Sequence, residues 1–341
     1  MRHEMKDTRY ETQDNTPYCP SVLGGRDQRA EGVKINPPLI TPQVKRILMS
    51  HITGLSTVQL LAEPNLQLTE EQQKWFDEAV IRLQNNEPIQ HILGYTTFYG
   101  RKFKCDRRAL IPRPETEELV EWILNDWSML NSQQSTVNSQ QTPPPSAPPL
   151  TKGRNIETTT LNILDIGTGT GCIALSLAKE LKGTMVTAVD ISEEALSLAR
   201  ENAELLNVEN VKFVQGNILT PATLNSQLFI AKGSKTFGST FNLIVSNPPY
   251  VRECEKAEME ANVLDYDPHT ALFVSDEDPL IFYRAIAEFA LTHLAPNGAL
   301  YFEINQYLGR ETCDLLIALG YKNVELRKDI NDNPRMIKAT L

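Results

Sequence analysis

Leu164-Asp165-Ile166-Gly167-Thr168-Gly169-Thr170-Gly171-Cys172 decides the fold, because an apolar strand ends in it and a helix opens from it. Strand, glycine loop and helix in that order form the first unit of a parallel α/β sheet. The glycines at 167, 169 and 171 permit positive φ and a close approach of backbone to ligand. Their spacing is G-x-G-x-G rather than the G-x-G-x-x-G of dinucleotide folds, and no P-loop lysine stands near for a pyrophosphate. Asp165 sets a carboxylate directly before the loop. That favours a ligand with a cationic or hydroxyl-rich part.

Working outward, strands alternate with helices. Strands are predicted at 162–166, 185–190, 211–215, 241–246 and 299–304, and helices at 171–182, 192–206, 279–295 and 308–319. Two closing runs, Val324 to Arg327 and Arg335 to Thr340, suit an antiparallel edge. Asp190 ends the second strand, 19 residues after Gly171, where an acid can accept both hydroxyls of a ribose. A nucleoside with an ammonium group and no phosphate describes S-adenosylmethionine (SAM). The polar position after the third strand is Asn217, followed by Ile218.

The fourth strand, Phe241 to Val245, runs into Asn247-Pro248-Pro249-Tyr250. Pro249 biases Pro248 toward extended backbone, and Pro248 does the same to Asn247. The prolines fix φ and remove donors. A stiff loop remains that offers acceptors: the Asn247 side-chain oxygen and the carbonyls of Asn247 and Pro248. Tyr250 adds a flat aromatic face. Such a loop suits a planar NH2 group, an amide or an exocyclic base amine. By itself the tetrapeptide is equally a Pro-rich turn; the glycine loop upstream gives it weight.

Toward the N-terminus the pattern changes. Residues 1–38 hold six Lys/Arg and six Asp/Glu without periodicity, and read as a disordered tail. From 39 to 94 the pattern is helical. Val44, Ile47, Leu48 and Ile52 form one stripe ended by Gly54, and Thr57 is expected to cap a short helix through Ala62. Thr69 with Gln72 forms a capping box before the stripe of Trp75, Phe76, Ala79, Val80 and Leu83. Glu87-Pro88-Ile89-Gln90 opens a further element ended by Gly94, and His91 reads as packed rather than ligating. This small domain has no chemical motif of its own, so substrate docking is assigned to it. Residues 95–112 read as a connecting β-hairpin turning at Gly100-Arg101. Pro114 then suits the first position of a helix, with Glu115, Glu117 and Glu118 in its first turn and Leu119, Val120, Ile123 and Leu124 on its buried stripe. Glu115 and Glu117 are explained by the helix dipole, with an active-site role as the alternative. Asn131 to Leu150 has four Gln, four Ser and five Pro, with no charge and no aromatic, and reads as a flexible insertion spanning about 131–156. The sheet domain is thus 113–341.

The net charge of −10 argues against a large basic nucleic-acid footprint. Five scattered cysteines without C-x-x-C read as reduced thiols of a cytoplasmic protein, and the five histidines have no metal-site spacing. No apolar run is long enough to span a membrane.

Taken together, these motifs resemble the protein-(glutamine-N5) methyltransferases that modify peptide-chain release factors. Over 41–130 and 157–341 the resemblance rests on Glu87 to Gln90 with Gly94, Ile111-Pro112-Arg113-Pro114-Glu115-Thr116-Glu117, the 165–171 loop, Asn247 to Tyr250, and Asp329-Ile330 with Pro334-Arg335-Met336. It implies an α/β fold, a class I SAM-dependent methyltransferase with a Rossmann-like, mostly parallel seven-stranded sheet and a small N-terminal helical domain. It implies methylation of the side-chain amide in a Gly-Gly-Gln tripeptide. Asp165, Gly167, Thr168, Gly169, Thr170, Gly171, Asp190, Asn217, Ile218 and Asn247 would then contact SAM. Asn247, Pro248, Pro249 and Tyr250 would hold the glutamine, with Asn247, Pro248 and Tyr250 as the catalytic set and no metal. Asn217 and Ile218 depart from the Asp and aromatic residue frequent in the family there. The implied partner is a release factor, with no stable nucleic acid and no membrane, for a monomer. Two other readings use the same motifs: an N6-adenine methyltransferase on DNA or RNA, which calls for a basic groove and base flipping, and a SAM-binding module without turnover.

Overall fold

Residues 40–63, 65–139, 161–229 and 240–341 of the computed structural model are described below. The tail at 1–38 lies outside them. The N-terminal part is helical: α1 (Pro42–Thr53), α2 (Thr57–Ala62), α3 (Glu70–Gln84) and α4 (Ile89–Leu93). Gly54 and Gly94 end α1 and α4 in the left-handed conformation, the backbone state in which a Cβ is costly. The capping box of Thr69 and Gln72 forms as expected. The cap of α2 is Ser56 rather than Thr57, with Gln59 reaching back to close a second capping box; Thr57 is the first helical residue. Leu48, Ala79 and Ile92 make a small core, against which Trp75 and Phe76 pack.

A hairpin follows, β1 (Tyr95–Phe98) and β2 (Arg101–Lys104). Phe98 pairs with Arg101, so the turn is Tyr99-Gly100, one residue earlier than expected. Both turn residues have positive φ, +46° and +71°, the geometry that matches strand twist in two-residue hairpins. The hairpin sits on the sheet domain. Its Phe98 and Phe103 belong to the main core. Asn202 accepts from the Lys104 amide at 2.6 Å and donates to the carbonyls of Lys104 and Thr170 at 3.2 and 3.0 Å.

The remaining elements are α5 (Pro114–Ser139), β3 (Leu161–Ile166), α6 (Cys172–Glu180), β4 (Thr184–Asp190), α7 (Glu193–Leu206), β5 (Val211–Gln215), α8 (Pro221–Phe229), β6 (Phe241–Ser246), β7 (Val251–Arg252), α9 (Ala261–Tyr266), β8 (Phe273–Val274), α10 (Ile281–His293), β9 (Leu294–Glu303), α11 (Gly309–Ala318), β10 (Lys322–Lys328) and β11 (Pro334–Thr340). Every strand and helix expected in the sheet domain is present within a few residues. One boundary moves: helix α5 continues to Ser139, into the stretch read as insertion from 131. Among the described residues, α8, α9, the short parallel pair β7–β8 and two 3-10 turns, Glu253–Glu258 and His269–Ala271, had no counterpart in the sequence reading.

Seven strands form one sheet in the order β10-β11-β9-β6-β3-β4-β5. β9, β6, β3, β4 and β5 run parallel, while β11 is antiparallel to β9 and to β10. Alternate residues of β3 serve opposite faces: Ile163 enters the layer with Leu119, Ile123, Leu175 and Leu177, and Leu164 enters the layer with Tyr283, Ile286 and Phe302. Each such fully buried aliphatic contributes about 1.5–3 kcal/mol. From β3 the chain builds outward through β4 and β5 on one side and through β6 and β9 on the other. The crevice at this switch, beyond the carboxyl ends of β3 and β6, is where open α/β sheets hold ligands. No described helix is long and apolar enough to cross a membrane.

Candidate active site

At that crevice lies a cavity of about 610 Å³. The loop after β3 gives it Gly167, Thr168, Gly169 and Thr170, the end of β4 gives Asp190, the turn after β5 gives Asn217 and Ile218, and the end of β6 gives Asn247, Pro248 and Pro249. Residues far apart in the chain thus meet at one edge of the sheet. Gly167 and Gly169 hold φ at +75° and +55°. The Gly167 and Thr168 amides both donate to the Val189 carbonyl, at 2.8 and 2.9 Å.

The Asp190 carboxylate accepts the Gly169 amide at 2.8 Å on one oxygen and the Ser192 amide at 3.0 Å on the other. Burial pushes its carboxyl up, while the Ser192 and Gly169 amides oppose that. The Ile191 amide also bears on it, and of the roughly four lone-pair sites of a carboxylate that leaves room for a ligand donor. Asn217 uses its side-chain oxygen on the Leu219 amide at 2.9 Å, an Asx turn.

Two of the ten residues expected to contact a cofactor do not line this cavity. Asp165 is fully buried below the loop, where it accepts the Thr168 hydroxyl at 2.7 Å. It shapes the loop from beneath, because its strand position points away from the crevice. Gly171 opens α6 at φ +81°, and a Cβ there would meet Leu175 and Ala199 at 3.1 and 3.2 Å. Its role is close packing of α6 on α7.

Burial pushes the Asp165 carboxyl up to about 7. An ordinary Asp titrates near 4, so between these values the folded chain holds a proton that the unfolded chain releases. Stability from this group is full below about pH 4 and is lost as pH rises toward 7. Relative to Asp165→Asn, which keeps an acceptor for Thr168, the wild-type chain should lose about 1.4 kcal/mol per pH unit in that window. Denaturant midpoints from acid to neutral pH test this, and equal slopes for the two chains would refute it.

A second, smaller cavity of about 260 Å³ shares Leu110, Arg113, Asn247, Pro248 and Ala271 with the first and adds Tyr250, Val251, Met259, Glu260, Val263 and Leu272. Asn247 and Pro248, with Leu110, Arg113 and Ala271, therefore form the wall between two adjoining chambers. Tyr250 faces only the smaller one. Its hydroxyl donates to Glu303 Oε1 at 3.1 Å, and its carbonyl accepts from Asn305 at 2.9 Å. Burial pushes its phenol far above the usual range, which excludes it as a base.

The Asn247 NH2 donates to the Thr116 hydroxyl at 3.2 Å, and that hydroxyl donates to Glu303 Oε2 at 2.6 Å. Thr116 and Glu303 were missed in the sequence. Thr116 stands between Glu115 and Glu117, the acids considered for the site, neither of which lines either cavity. Arg113, also from this motif, lines both chambers and pairs with the buried Asp267 at 2.8 Å. His91 is buried, as its packed reading expected, with its ring against Tyr266. The Tyr266 hydroxyl donates to the Asn85 carbonyl at 2.8 Å, and Arg107 lies over its ring. The helical part therefore touches α9, whose Val263 walls the smaller chamber.

A glycine loop, a strand-end acid and a rigid Asn-Pro-Pro-Tyr wall at the switch point of a seven-stranded sheet define a methyltransferase domain. The matching family models agree: one described as a methyltransferase domain covers residues 157–340, and one described as a PrmC N-terminal domain covers 42–94. A release factor glutamine methyltransferase of Flavobacterium psychrophilum is 44% identical over 86% of this chain and 89% of its own. One of Bacteroides thetaiotaomicron is 40% identical over 89% and 94%. A bifunctional methyltransferase of Rickettsia typhi is 33% identical over 94% of this chain but 56% of its own. The chain belongs to the release factor glutamine methyltransferase family.

Proposed function

We propose that this chain transfers a methyl group from SAM to the side-chain amide nitrogen (N5) of the glutamine in the Gly-Gly-Gln motif of a peptide-chain release factor. The observation that carries the reading is the shared wall. Asn247 and Pro248 separate a nucleoside-sized chamber from a side-chain-sized one, and Asn247 has its NH2 engaged and its oxygen open.

The larger chamber fits SAM in size and chemistry. Gly167 to Thr170 supply backbone at close approach, Asp190 keeps lone pairs for ribose hydroxyls, and Ile191, Ile218 and Leu219 offer an apolar wall to a base. Bound there, SAM supplies an electrophilic methyl group on a positively charged sulfur. The chain's task is the nucleophile, whose lone pair is delocalised into the amide. Asn247 Oδ1 and the Pro248 carbonyl accept the two N–H hydrogens and hold the nitrogen at the wall. As positive charge grows on that nitrogen these acceptors strengthen, so they favour the transition state over the ground state. Tyr250, tied at its hydroxyl and its carbonyl, packs beside the amide plane and fixes its tilt. Positioning supplies much of the remaining rate. The extra proton leaves after transfer, so no base has to act beforehand.

Incubation with isotopically labelled SAM and a purified release factor, followed by mass mapping, tests the reading. Label on the Gly-Gly-Gln glutamine supports it. Label on adenine in added nucleic acid would establish the exocyclic-amine reading instead.

Asp190→Ala is expected to weaken SAM binding about ten- to a hundredfold. Hydrogen bonds to a charged acceptor contribute roughly 1.5–3 kcal/mol. Calorimetry measures it, and an unchanged affinity would remove Asp190 from the site.

A further inference from the structure

Behind the shared wall lies a buried carboxylate that the transfer as described uses only to anchor the Tyr250 hydroxyl. Glu303 ends β9 with 1% of its surface exposed, and Thr116 is 2% exposed. We propose that Glu303, acting through the Thr116 hydroxyl, is a positioning residue that fixes which edge of the Asn247 amide faces the acceptor chamber, and that it thereby selects glutamine over glutamate. The inference rests on the glutamine-methylating reading above.

The argument is an account of protons. An ionised carboxylate accepts and cannot donate, whereas a hydroxyl has one proton to give. Glu303 Oε1 takes the Tyr250 proton at 3.1 Å, and Oε2 takes the Thr116 proton at 2.6 Å. The second is a short, charge-assisted bond. While Glu303 is ionised, Thr116 Oγ1 has then spent its proton and can only accept. Its other neighbour is Asn247, at 3.2 Å, which must therefore present NH2. The rotated amide would set oxygen against oxygen. With NH2 turned to Thr116, Oδ1 faces the chamber, where it attracts an N–H and repels a carboxylate. An amide can rotate by 180° at little steric cost, so sterics alone do not choose its edge. Burial pushes the Glu303 carboxyl up, opposed by the Thr116 and Tyr250 bonds and by the Arg335 guanidinium.

Three substitutions test this with a Gly-Gly-Gln peptide, a Gly-Gly-Glu competitor and SAM. In Glu303→Gln the new carboxamide cannot accept from both hydroxyls. In Thr116→Val the link is cut at constant volume, and in Thr116→Ser it is kept. Glu303→Gln and Thr116→Val are expected to lower kcat about 100-fold, the cost of losing one oriented hydrogen-bonding group at a reacting centre. Thr116→Ser should return to within about threefold of wild type, since its hydroxyl restores the relay. Glu303→Gln lies outside the SAM chamber and should leave SAM affinity within about twofold, because only a first-contact bond carries the larger loss. Its preference for the Gly-Gly-Gln over the Gly-Gly-Glu peptide should shrink at least roughly tenfold, because the freed amide can turn its NH2 toward a carboxylate. A purely structural role would lower melting temperature with selectivity unchanged and no rescue by serine, and that result overturns the proposal. The side-chain amide resonances of Asn247 report the hydrogen bond without turnover. If Thr116→Val moves them while the wild-type chain methylates no glutamine, the functional reading fails and the positioning stands. If they do not move, the positioning fails whatever the activity.

Discussion

Asn247→Ala is expected to lower kcat on a Gly-Gly-Gln substrate by about 10²–10³-fold, the range seen when one oriented group at a reacting centre is removed. The substitution deletes the open oxygen that holds one substrate N–H. It also frees the Thr116 hydroxyl from its only Asn247 bond, at 3.2 Å. That bond is neutral and slightly long, so folding should cost about 1 kcal/mol or less. SAM affinity should stay within about tenfold, because Gly167 to Thr170 and Asp190 remain in place. Single-turnover rates with saturating SAM, set beside a melting curve, separate these effects. Turnover near the wild-type rate would sink the assignment of Asn247.

A chain beginning at Tyr95 is expected to keep SAM binding and lose about 100-fold in kcat/KM on a folded release factor, with less than about tenfold lost on a short Gly-Gly-Gln peptide. The larger chamber is lined only from Arg108 onward, so the helical part is not needed to build it. One glutamine side chain offers little surface, and choosing it within a folded protein requires contacts elsewhere. The helical part touches α9 through the Tyr266–Asn85 bond, at 2.8 Å, and α9 also carries Val263 of the smaller chamber's wall. It is therefore placed to carry those contacts. Equal losses on both substrates with SAM still bound would reject docking. An insoluble chain would assign the helices to covering the sheet domain.

The sheet domain was legible because its signals are local. Strand runs, glycine spacing and helix caps each fit in a window of a few residues, and the elements fall within a few residues of expectation. The positions that differ do so for two reasons. Asp165 and Gly171 stand beside cavity-lining residues in sequence, but adjacency does not tell whether a residue faces the cavity or the packing behind it. In β3 that choice alternates at every residue, and Asp165 falls on the inner side. Thr116 and Glu303 were hidden for a different reason: they lie 187 positions apart, Glu303 belongs to no motif, and within Ile111 to Glu117 the acids flanking Thr116 drew the reading instead. Helix α5 runs into the uncharged stretch after Asn131 because Gln and Ser tolerate a helix already nucleated upstream. The Pro-rich run from Pro143 lies outside the described residues.

Strand order carries a consequence for how the chain is made. β10 joins the sheet through β11 alone, and β11 is wedged between β10 and β9, pairing Met336 with Glu303. On a ribosome β9 emerges before β11 and waits as an open edge. Until the residues through Thr340 are released, Glu303 lacks the neighbouring strand that encloses it and the Arg335 cation near it. Enclosure of Glu303 on that side thus has to wait for β11, whatever folds before it. A nascent chain stalled before Pro334 would hold the glycine loop, Asp190 and every member of the carboxylate relay, but with Glu303 open on the side that β11 covers.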